Sequence, residues 1–109
     1  MTDFRDRERG EESKFAMDAQ TAFRVAARRN RLLGHWAAEK MGLSPEETEA
    51  YAKAVIQADF EEAGDEDVIR KLLGDLTAAG IETDDAKIRE ALAHKEAEAR
   101  RQIMEQINL

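Results

Sequence analysis

The stretch G-L-S-P-E-E, Gly42 to Glu47, places a helix stop directly before a helix start. Gly42 suits the left-handed residue that ends a helix. Ser44 is a natural N-cap, Pro45 fits the first helical position, and Glu47 completes a capping box. A connection this short makes the two flanking helices antiparallel neighbours. The fold can be read outward from this point.

Downstream, Gly64-Asp65 repeats the device: glycine ends one helix and Asp65 caps the next. Asp65, Glu66 and Asp67 put negative charge on the positive end of that helix dipole. Gly80 stops a third helix, and Thr83 or Asp84 starts a fourth. The spacing predicts helices over about Lys14 to Met41, Pro45 to Glu62, Glu66 to Ala79 and Asp84 to Ile107. Apolar residues recur at helical spacing in each. In the first they are Phe15, Ala19, Ala22, Phe23, Ala26, Leu33, Trp36, Ala37 and Met41. Tyr51, Val55 and Ala58 line the second, and Ile69, Leu72, Leu73 and Leu76 the third. The fourth carries Ile88, Leu92, Ala99, Ile103 and Ile107. No segment alternates with period two. The expected fold is all-α, a four-helix bundle with a flexible charged N-terminal segment, divided as residues 1–14 and 15–109.

Composition agrees. The chain has 109 residues, enough for one domain. It is 42% hydrophobic but only 6% aromatic, so aliphatic side chains and alanine must build the core. One proline and six glycines leave few chain breakers. A net charge of -7 argues against nucleic acid, whose binders need a dominant basic face. The lack of cysteine excludes disulfides and thiolate chemistry. No apolar run approaches the roughly 18–20 residues that span a bilayer, and the charged start does not read as a secretory signal. A cytoplasmic protein without direct membrane insertion is expected.

No residue pattern encodes an enzyme. His35 and His94 fall on different helices, without the hydroxyl or thiol partner that a nucleophile-base pair needs. The acidic run from Asp59 to Asp67 fails as an EF-hand, because Arg70 and Leu76 occupy the required glycine and glutamate places. No phosphate-binding glycine loop occurs, and no metal or cofactor is expected. Gly34, inside the first helix, suggests close approach of a neighbouring helix. The basic cluster Arg24, Arg28, Arg29 and Arg31 stands out in an acidic chain. Arg24, Arg28 and Arg31 lie at i, i+4 and i+7, a guanidinium row suited to a nucleotide or another anion. The intramolecular alternative is pairing with the acidic junction of the second and third helices.

The first fifteen residues, M-T-D-F-R-D-R-E-R-G-E-E-S-K-F, carry nine charged side chains and two aromatic rings. The pairs Asp3-Arg7 and Asp6-Arg9 favour a helix by only a few tenths of a kcal/mol each. Gly10 interrupts it, and so short a free helix is marginal in water. The segment reads either as a solvated tail or as a recognition segment that orders on docking, anchored by Phe4.

Four blocks carry a resemblance. They are Asp6-Arg7-Glu8-Arg9, Lys14-Phe15-Ala16, A-R-R-N-R-L-L-G-H-W-A-A-E-K-M-G from Ala27 to Gly42, and D-F-E-E-A-G-D-E-D-V-I-R-K-L from Asp59 to Leu72. The chain resembles the zeta subunit family of alphaproteobacterial F-type ATP synthase over about Phe4 to Ile107. The resemblance implies a noncatalytic inhibitor of ATP hydrolysis. Its N-terminal segment would enter a catalytic αβ interface near γ, blocking hydrolytic rotation while synthesis proceeds. Its partner would be the catalytic head of that enzyme, at the inner face of the cell membrane. The implied contacts are Phe4, Arg5, Asp6, Arg7, Glu8, Arg9, Lys14 and Phe15. Gly10 departs from the family pattern, where a helix former such as alanine is expected. The alternative reading is a regulatory module that senses nucleotide or anion through Arg24, Arg28 and Arg31.

Overall fold

The computed structural model describes residues 18–61 and 64–107. Among these, the chain forms four helices: α1 (Ala19–Met41), α2 (Pro45–Ala58), α3 (Glu66–Ala78) and α4 (Asp85–Ile107). The all-α bundle expected from the sequence is the observed fold.

The stop and start at residues 42–47 form as read. Gly42 sits at φ 72°, and Leu43 N–H reaches back to the Ala38 carbonyl at 3.0 Å, closing the end of α1. Ser44 Oγ accepts the Glu47 N–H at 3.1 Å, while the Glu47 carboxylate accepts the Ser44 N–H at 2.8 Å. Those hydrogen bonds hold the Glu47 carboxyl below its ordinary value of 4.5. A group with a depressed folded pKa stabilises above its unfolded value and loses that contribution as the pH falls through the folded one. Glu47→Gln is therefore expected to flatten the loss of thermal stability on acidification below about pH 4.5. Melting curves across that range check this; an unchanged acid slope would refute it.

Two boundaries and one cap differ from expectation. α1 begins at Ala19 rather than near Lys14, because Asp18 caps it, accepting the Thr21 N–H at 2.7 Å. α2 ends at Ala58, four residues before the expected end at Glu62. Asp65 precedes α3 but makes no side-chain cap, because its carboxylate is engaged elsewhere. Asp84, by contrast, accepts the Lys87 N–H and caps α4.

The main core joins all four helices: Leu33 and Ala37 of α1, Val55 of α2, Val68, Ile69, Leu72 and Leu76 of α3, and Ile88 and Ala91 of α4. Burying each large aliphatic contributes about 1.5–3 kcal/mol of transfer energy. Tyr51 packs at its edge and donates its hydroxyl to Asp75 at 2.7 Å. Burial, helped by that carboxylate, pushes the hydroxyl pKa far above its ordinary value. A second, smaller cluster, Val25 with Ala99 and Ile103, joins only α1 and α4. It exists because those two helices have 23 residues each and α2 only 14. The start of α1 runs past the end of α2 with α4 beside it. For that reason Ala19, Ala22 and Phe23, expected on the core face, are exposed.

Gly34 is explained by α2. A Cβ on Gly34 would lie 2.6 Å from Ala52 Cα, a backbone atom. The two helices touch there, as the glycine suggested.

Candidate functional site

Phe4, Arg5, Asp6, Arg7, Glu8, Arg9, Lys14 and Phe15 lie outside the described residues. What the structure describes is the end of the bundle to which they connect, beginning at Asp18.

The arginine row is divided between two neighbours. Arg24 donates to Gln106 at 3.2 Å and Arg28 to Gln102 at 2.8 Å, so both reach α4. Arg31 turns to α2 and pairs with Glu49 at 3.0 Å. Helical spacing puts these three on one side of an isolated helix. Neighbours on either flank then draw them apart.

Arg29, the cluster member left out of that row, is the buried one at 5% exposure. Its Nη1 donates to Asp65 at 3.1 Å and to Glu96 at 3.3 Å. Its Nη2 reaches Asp59 at 3.4 Å, and its Nε donates to the neighbouring Asn30 at 3.0 Å. Arg100 donates to the other oxygen of Glu96 at 3.2 Å. One guanidinium thus ties α1 to the α2–α3 junction and to α4. The acidic junction does face the basic cluster, as the intramolecular alternative required. The signal for Arg29 was weak in sequence, since its partners are 30, 36 and 67 residues away.

Further ion pairs lie along α3 and α4. Asp67 is buried and accepts from Arg70 at 2.7 Å. Arg89 forks onto both oxygens of Glu66 at 2.9 and 3.1 Å, fastening the start of α3 to α4. His35 Nε2 lies 3.3 Å from Glu49 but is not oriented to share a hydrogen bond with it. His94 is exposed on α4, in a shallow groove with Trp36 and Lys95. Among the described residues no group of three or more histidine, aspartate or glutamate side chains is placed to hold a metal. None of the described helices is long and apolar enough to cross a membrane.

At the Asp18 end the surface changes character. Phe23 of α1 and Phe60, just past α2, stack with ring centroids 5.6 Å apart. Both are more than half exposed, at 54% and 62%. Sequence spacing had assigned Phe23 to the core and said nothing of Phe60.

A family model described as ATPase inhibitor subunit zeta matches residues 1–102. No curated protein matches. A structure solved by NMR in solution is similar, with 46% identity and a TM-score of 0.68, over 77% of this chain and 95% of that one.

Proposed function

Given that the chain belongs to the ATPase inhibitor subunit zeta family, we propose that its N-terminal segment is the inhibitory element and the bundle its holder. The inhibited reaction is ATP hydrolysis by the F-type ATP synthase. The segment enters a catalytic αβ interface near γ in the enzyme's head, and the chain itself performs no catalysis. The observation that carries this reading is the extent of the match, which begins at residue 1 and so includes the charged segment before Asp18. Phe4 supplies the apolar anchor. Arg5, Arg7 and Arg9 pair with acidic groups of the partner, Asp6 and Glu8 with basic ones, and Lys14 and Phe15 contact it nearer the bundle.

The described bundle suits a holder's role. Its main core joins all four helices, and Arg29, Arg31 and Arg89 pair with carboxylates of the same chain. Arg24 and Arg28 are joined to α4, which leaves the nucleotide or anion alternative without an observation of its own in its favour. The nine charges of residues 1–15 have too little apolar area beside them to build a core. Ordering such a segment on docking costs several kcal/mol, commonly about 2–5, which its contacts must exceed. The protein would then work in the cytoplasm, bound at the inner face of the membrane through the enzyme.

The test is an ATPase assay of the cognate catalytic head with the full chain and with a chain lacking residues 1–14. The truncated chain is expected to keep its helical circular dichroism and lose inhibition entirely. Full inhibition by a folded truncated chain would overturn the assignment.

A further inference from the structure

We draw no further inference here: the strongest candidate, the shallow groove between α1 and α4 lined by Trp36, Glu90, His94 and Lys95, carries nothing because its walls bear charges of both signs and nothing in the structure shows what covers it.

Discussion

Arg29→Ala is expected to destabilise the bundle by about 2–4 kcal/mol and to lower its melting temperature by more than about 10 °C. The total stability of such a domain is only about 5–15 kcal/mol, so the loss is a large fraction of it. The cost has two sources. Arg29 itself is buried and donates to four side chains, and removing it leaves a gap between α1, α4 and the α2–α3 junction. It also leaves the carboxylates of Asp59, Asp65 and Glu96 without its charge, with Arg100 still paired to Glu96. Water partly screens them: the Asp65 side chain is 45% exposed, which keeps the expected value below that for a fully buried pair. Arg29→Lys retains the charge but not the fork, and a lysine cannot serve carboxylates on three sides at once. It should fall between wild type and alanine. Denaturant titration of the three proteins checks the order; an alanine variant within 1 kcal/mol of wild type would show that the three carboxylates do not depend on Arg29.

Gly34→Ala should also destabilise, and its sign is the informative part. Helix propensity alone predicts a gain of about 1 kcal/mol in the interior of α1. Packing predicts the opposite. The new Cβ would stand 2.6 Å from Ala52 Cα and 3.3 Å from Ala52 N. Backbone cannot swing aside as a long side chain can, so α1 and α2 must separate along their whole contact. Overpacking of this kind costs about 1–3 kcal/mol and should outweigh the propensity gain. Gly34→Leu should cost more still. Adding Ala52→Gly to Gly34→Ala removes the Cβ at 3.1 Å but not the Cα, so rescue should be partial at best. A stabilised Gly34→Ala variant would mean that the helices are not in contact there.

These two residues also show what could be read before the structure. Local signals held wherever only local physics acts. The box at Ser44 and Glu47, the left-handed Gly42 and the cap at Asp84 depend on residues within a few positions. The reading failed where distant partners compete. Asp65 has the composition and position of an N-cap, yet its carboxylate goes to Arg29, a partner that no window around residue 65 contains. Phe23 has helical spacing from Val-, Leu- and Trp-bearing turns of α1, but whether it is covered depends on where α2 ends. The arginine row was read on an isolated helix, whereas its two flanks face different neighbours. Gly34 fared better, because a glycine inside a long helix asks for a reason and close approach is the commonest one.

The small cluster of Val25, Ala99 and Ile103 carries a further consequence. A small cluster, Val25, Ala99 and Ile103 with Leu32 against it, and two glutamine contacts join the start of α1 to the end of α4, whereas the main core engages all four helices. Local opening free energy follows buried apolar contact, so the two regions should report separately in hydrogen exchange. Amides near Arg24 to Arg28 and Gln102 to Gln106 should exchange through a partial opening, while those around Leu33 and Leu72 wait for global unfolding. The described bundle is then a firm body with a compliant end. Under the function proposed above, the strain of docking would be absorbed in the first turns of α1 without loosening the main core.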